Sequence, residues 1–309
     1  KTAYEIYQCD WSSDVCSSDL QVHLGPRDTV LRQGDAGVVY LSSPHALAPY
    51  PRAITERLAH WASVAPERVL LGERGHDGAW RELRFGDAHR RACRIAQGLL
   101  ERGLSPKRPV MILSEGGIEH ALLAFAAMHV GIPYAPVSPA YSLVSTDFGK
   151  LKFAMALLNP GLVFVLDGAR YAKAIAAALP PDAELVVHER PPADRAATAF
   201  VDLEREVTEA VAKAHAQVGP DTIAKFLFTS GSTGMPKAVI TTQRMLCSNQ
   251  QMVLQTFPFL GEQPPVFVEW APWHHVAAGN QQFGLALYNG GSYYIDDGKP
   301  MPGLIEKTV

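Results

Sequence analysis

T-S-G-S-T-G-M-P-K, residues Thr229 to Lys237, is a run of small and hydroxylated residues closed by one proline and one lysine. Directly before it stands Ala224 to Phe228, a mostly apolar run of strand length with no helical period. A strand that feeds a loop dense in backbone N–H, with hydroxyls and a cation, has the means to hold phosphate oxygens. Gly231 and Gly234 let the backbone approach an anion with no Cβ in the way. Thr229, Ser230, Ser232 and Thr233 add neutral donors, and Lys237 supplies a mobile positive charge. The same composition also describes an ordinary flexible connection. A Walker A loop is excluded, because Ala238 follows Lys237 and Pro236 precedes it where a glycine is required.

Outward from this loop, apolar periodicity alternates between strand and helix. Towards the N-terminus, helical spacing predicts Thr55–Val64, a helix from Gly86 through Gly103, then Ile118–Val130, Thr146–Leu158, Tyr171–Leu179 and a charged helix near Leu203 to Ala214. Between them, short apolar runs predict strands at Arg68–Leu71, Trp80–Phe85, Val110–Leu113, Pro133–Val137, Leu162–Leu166 and Glu184–Val187. Past the loop come a strand at Ala238–Thr241, a helix at Gln243–Thr256, and strands at Val266–Trp270 and Ser292–Ile295. This alternation predicts an α/β fold of mostly parallel sheets flanked by helices.

Bulk properties narrow the function. The 309 residues are 47% hydrophobic and 19% charged, with a net charge of −3, so nothing favours nucleic acid. The longest apolar stretches, such as Ala121–Met128, are too short to span a bilayer. Four cysteines at 9, 16, 93 and 247 form no zinc-binding spacing, and the cytosol is the expected compartment. Residues 1–46 are expected to be irregular or disordered. Within them 9–20, C-D-W-S-S-D-V-C-S-S-D-L, carries a Ser-Ser-Asp repeat and reads as translated junction sequence, a possible sequencing artefact. The protein-like domain is expected over 47–309.

The nonapeptide 229–237 resembles the signature loop of the adenylate-forming superfamily, which includes acyl-CoA synthetases, luciferases and adenylation domains of peptide synthetases. Gly131-Ile132-Pro133-Tyr134-Ala135-Pro136-Val137-Ser138-Pro139 is similar to the family's Gly-x-x-Tyr-x-Pro-x-x-Pro segment. Phe226–Asn249 and Trp270–Pro300 resemble feruloyl-CoA synthases in particular. The resemblance implies an acid–thiol ligase. A carboxylate, such as that of an aryl acid, attacks the α-phosphate of ATP, and the acyl-adenylate passes its acyl group to coenzyme A. It also implies Mg2+, and a fold that is part of the large N-terminal domain of an acyl-CoA synthetase. On this reading the adenine, ribose and magnesium motifs and the catalytic lysine of a small lid domain lie beyond Val309, and this stretch alone is inactive.

A second constellation is Pro272-Trp273-His274-His275, followed by Gly279-Asn280. Adjacent histidines diverge and make poor joint metal ligands, and no third histidine is close. A histidine filling a polar niche in the core is one reading of this pair. The resemblance implies another: His275 takes the histidine position of the family's Pro-x-x-His motif, where an imidazole orients or polarises the acyl carboxylate. Trp270, Trp273, Phe283 and Tyr288 would suit a flat aryl substrate, and each alone also reads as ordinary core. A fatty-acid or amino-acid adenylating enzyme, and a non-catalytic nucleotide-binding module, remain as alternatives.

Overall fold

The structure is a computed structural model and describes residues 22–75, 77–229 and 234–296. Within the expected irregular stretch, Val30–Gln33 (β1) and Val39–Ser42 (β2) form an antiparallel hairpin whose residues are all exposed. β-branched and aromatic residues (Val30, Val39, Tyr40) flanking the Gly34–Gly37 turn give it strand character that composition alone did not show. Residues 1–21 lie outside the described residues, so the reading of 9–20 is not addressed.

The remainder alternates as expected. Helix α1 (Thr55–Val64) precedes the antiparallel pair β3 (Val69–Arg74) and β4 (Trp80–Arg84). Helix α2 (Phe85–Glu101), β5 (Val110–Ile112), α3 (Ile118–His129) and β6 (Tyr134–Pro136) follow. Next come α4 (Gly149–Leu158), β7 (Leu162–Asp167), α5 (Gly168–Ala178), β8 (Glu184–Glu189) and β9 (Thr198–Ala199). The last part holds α6 (Glu209–Gln217), β10 (Ile223–Thr229), β11 (Lys237–Thr242) and α7 (Gln243–Thr256). It closes with β12 (Val266–Glu269), α8 (Phe283–Asn289) and β13 (Ser292–Ile295).

A seven-stranded sheet runs in the order β11-β10-β6-β5-β7-β8-β9, parallel throughout except where β10 meets β11. A second sheet, β12-β13-β3-β4, is parallel except for β3 and β4. Side-chain alternation sends Val110, Ile112, Leu162, Phe164 and Val186 to the face covered by α2 and α3. Met111, Leu113, Val163, Val165 and Leu185 pack on the other face with α4 and α5. Both faces are covered, which is why these strands read as near-continuous apolar runs. Every residue of α3 is buried, so this helix has no solvent face.

Three helix starts differ from the spacing-based expectation, each for a local reason. Helix α5 begins at Gly168 rather than Tyr171, because Asp167 Oδ1 accepts from the amides of Ala169 and Arg170. Helix α4 begins at Gly149, since Phe148 sits at φ 56° and breaks the helical path. The charged helix starts at Glu209, behind a Thr208 cap, while Phe200–Leu203 forms a 3-10 turn that buries Phe200 and Leu203 in the core.

Candidate active site

Strand β10 ends at Thr229 and the chain returns in β11 from Lys237, with these two residues paired directly across the antiparallel ladder. The phosphate-loop candidate is therefore the tip of a hairpin. Thr229, Gly234 and Lys237 are exposed, and Gly234 holds φ at +93°, a conformation open to glycine without strain. Ser230, Gly231, Ser232 and Thr233 lie outside the described residues.

Because β10, β6 and β5 run parallel, this hairpin leaves the sheet at the same edge as the segments after β6 and β5. That edge, outside the carboxyl ends of the strands, is where open α/β sheets bind ligands. The segment after β5 is anchored at both ends. Ser114 Oγ accepts from the amide of Leu166 at 2.5 Å, and Glu73 of the second sheet accepts from the amide of Ile118 at 2.7 Å. Glu73 and the buried Glu119 both take Arg81, an arrangement that ties the entry to α3 to the second sheet.

The histidine segment lies over the same edge. The Trp273 ring is pressed on the backbone of Gly116, where a Cβ would come within 2.8 Å of it. Trp273 stacks on Phe283 at 4.4 Å, meets His120 edge-on at 5.1 Å, and donates to Tyr293 Oη at 3.4 Å. His275 follows this anchor and is exposed. Its amide donates to the Pro272 carbonyl, and its carbonyl accepts from the amide of Gly279, both at 3.0 Å. His274 is half-buried with its ring 4.4 Å from that of His275. Burial, and then the neighbouring imidazole, push its pKa down to about 4.

Of the four aromatics named as substrate candidates, Trp273, Phe283 and Tyr288 are buried among core side chains. Tyr288 spends its hydroxyl on Gln251 Oε1 at 2.8 Å. Trp270 alone of the four is exposed. The packing of the first three follows from the helical spacing of α8 and from the Gly116 contact, and it needs no ligand.

Sequence reading passed over one residue that the structure makes prominent. Lys225 stands in β10, four residues before the end of the strand, and is 2% exposed. Its Nζ donates to the Gly279 carbonyl at 3.0 Å and to Tyr134 Oη at 3.3 Å. It also lies 5.5 Å from the centre of the Tyr134 ring. Burial pulls its pKa down to about 7. The available signal was a lone lysine inside an apolar strand, and Tyr134 belongs to the Gly-x-x-Tyr-x-Pro segment already noted. Buried His120, whose pKa falls to about 4 through burial and then the charge of Lys225, sits edge-on to Tyr134 as well. Among the described residues no group of histidine, cysteine or acidic side chains could hold a metal ion.

The model of the AMP-binding enzyme family matches residues 58–308. The chain belongs to this family. A phosphinothricin tripeptide synthetase, PhsB, of Streptomyces viridochromogenes is 26% identical over 276 residues, covering 81% of this chain and 21% of that protein. The long-chain-fatty-acid–CoA ligase heimdall of Drosophila melanogaster is 27% identical over 251 residues, covering 76% of this chain and 35% of that protein. This AMP-binding chain thus spans only a part of each. Among solved structures, a putative long-chain-fatty-acid CoA ligase from Rhodopseudomonas palustris superposes with a TM-score of 0.63. It is 21% identical, over 79% of this chain and 57% of that one. The McyG A-PCP structure complexed with phenylalanyl-adenylate also gives 0.63, at 20% identity over 79% of this chain and 36% of the other. At such identities these two likenesses establish the fold: an α/β architecture shared with the N-terminal domain of adenylate-forming enzymes. Among the described residues of this AMP-binding domain, no helix is long and apolar enough to cross a membrane.

Proposed function

We propose that the protein carrying this chain activates a carboxylic acid with ATP and transfers the acyl group to coenzyme A. A carboxylate oxygen bonds to the α-phosphorus, the bond to pyrophosphate breaks, and an acyl-adenylate remains. A thiolate then attacks the acyl carbon and AMP leaves. In this reading Thr229, Ser230, Gly231, Ser232, Thr233 and Gly234 cradle the β- and γ-phosphates. Lys237 neutralises the charge that develops on the departing pyrophosphate. His275 orients the acid carboxylate, and Mg2+ shields the phosphates. Free thiols at Cys93 and Cys247 suit a reducing compartment, the cytosol.

The observation that carries this reading is a single arrangement. The β10–β11 hairpin, with Thr229 and Lys237 exposed at its last rung, leaves the sheet at the edge over which the exposed His275 is anchored. The test is acid-dependent exchange of labelled pyrophosphate into ATP by the full-length protein, across a panel of aryl, fatty and amino acids. Exchange that needs one class of acid supports the reading, and no exchange with any acid overturns it.

Within that activity the reading extends to an aryl acid such as ferulate. Its support is the likeness of residues 226–249 and 270–300 to feruloyl-CoA synthases. Formation of feruloyl-CoA from ferulate, ATP and coenzyme A is the corresponding assay. Turnover confined to fatty acids would reject the aryl assignment. Adenylation confined to amino acids, the reading favoured by the similarity to PhsB, would reject both the aryl acid and the coenzyme A step.

A further inference from the structure

Lys225 is an expensive residue at its position. It is buried in β10, and no carboxylate among the described residues forms an ion pair with it. An apolar chain of equal reach, such as methionine, would fill the same space without the cost of desolvating an amine. What the lysine gains is specific. One of its two hydrogen bonds goes to Tyr134 Oη and the other to the carbonyl of Gly279, 54 residues further along the chain.

Gly279 lies inside a π-helical turn, Ala277–Gln282, that joins the histidine segment to α8. Single π turns insert a residue into a helix and re-aim what precedes them, and they are frequent at functional sites. The Gly279 amide donates back to the His275 carbonyl at 3.0 Å. A chain of two hydrogen bonds therefore runs from Lys225 Nζ through the Gly279 peptide groups to the His275 main chain. The turn is also pinned from above, since a Cβ on residue 279 would stand 2.1 Å from the Trp273 carbonyl oxygen. Beside Lys225 lies a cavity of about 30 Å³, bordered also by Gln250, Asn280, Trp273 and Phe283. Gln250 Oε1 and Asn280 Oδ1 have no hydrogen-bond partner among the described residues. The volume suffices for one water molecule, within the hydrogen-bonding neighbourhood of these polar side chains. The turn is thus held by packing, through buried Ala278 and the Trp273 contact, and by the Lys225 hydrogen bond to its carbonyl.

We propose that Lys225 is a positioning residue for acid activation: by gripping the Gly279 carbonyl it fixes the π turn and so the presentation of His275. Lys225 rises from the strand that ends in Thr229, on the same face as Thr229, because residues i and i+4 of a strand point alike. One rigid strand thereby sets the spacing of both halves of the site. This rests on the role of His275 given under the proposed function.

The test uses the full-length protein and its Lys225→Met variant, with two readouts. In acid-dependent pyrophosphate exchange, Lys225→Met is expected to raise KM for the acid about tenfold while KM for ATP stays within twofold. In hydrogen exchange, the amides of residues 274–280 are expected to exchange at least tenfold faster, with the β10–β11 hairpin unchanged. Lys225→Gln, which keeps an N–H donor, should recover part of both effects and serves if methionine prevents folding. An unchanged KM for the acid overturns the positioning role. Unchanged protection at 274–280, or faster exchange throughout the domain, overturns the clamp. If the wild-type protein shows no exchange with any acid, the acid-activation reading fails and with it the catalytic part of this proposal. The protection measurement then decides the clamp alone.

Discussion

Thr229 and Lys237 face each other across the last rung of the antiparallel pair β10–β11. Lys237, the first residue of β11, is exposed at this rung. In the proposed role, removing its ammonium would withdraw one preorganised electrostatic contact from the departing pyrophosphate. Lys237→Ala is expected to slow pyrophosphate exchange on the order of 10²-fold. Its melting temperature should match wild type, because Lys237 is exposed. Exchange at the wild-type rate would remove Lys237 from the site.

His275 is exposed while its main chain is held from both sides, by Pro272 and by Gly279. His275→Ala therefore deletes an imidazole without disturbing the core. The variant is expected to lose on the order of 10²-fold in kcat/KM for the acid, at the low end for a positioned acid–base group, with an unaltered thermal melt. If the loss appears in KM for ATP instead, His275 serves the nucleotide and not the acid.

Gly279→Ala probes the same segment through sterics. Its new Cβ would stand 2.1 Å from the Trp273 carbonyl oxygen, a backbone atom that cannot rotate away. The substitution should destabilise the fold by roughly 1–3 kcal/mol, the usual range for forced overpacking. Chemical denaturation would read this directly. A neutral outcome would mean that the Trp273 backbone yields.

Acid should weaken the domain through its buried histidines. Burial, helped by His215, His89 and Arg52, drives the pKa of His129 down to about 3, and burial first of all brings those of His120 and His274 to about 4. Below the ordinary value near 6.5 the unfolded chain takes up these protons while the folded chain does not. Stability present above pH 6.5 is thus lost as pH falls towards 3–4. His129, stacked on His215 at 4.0 Å, gives the cleanest test. His129→Gln should reduce the slope of stability between pH 6.5 and 4 by about 1.4 kcal/mol per pH unit at most. An identical slope would mean that His129 is charged in the folded state.

Much of this protein is legible along the chain because its signals are local. Strands β5 to β8 announce themselves as short apolar runs because both of their faces are covered. Helix α7 falls on Gln243–Thr256 as expected, since Thr242 accepts from the Met245 amide as a standard cap. The loop at 229–237 stands out from its residue types alone, since the role proposed for it would fall to backbone amides and hydroxyls. The shifted helix start at Gly149 arises because Phe148 adopts a left-handed conformation that composition does not signal.

Contacts between distant residues are a different matter. Nothing in A-K-F-L-F tells that Lys225 points inward, or that its amine meets a carbonyl 54 residues later. Trp273, Phe283 and Tyr288 look alike to a reader of sequence, whether they line a pocket or fill a core; the Trp273 contact with Gly116, the Phe283 stack on Phe125 and the burial of Tyr288 place them in the core. Periodicity and capping depend on neighbours within a few residues and so survive in the linear text. Burial, and the pairing it forces on polar groups, depends on how sheets and helices close over one another, and that information exists once the chain has folded.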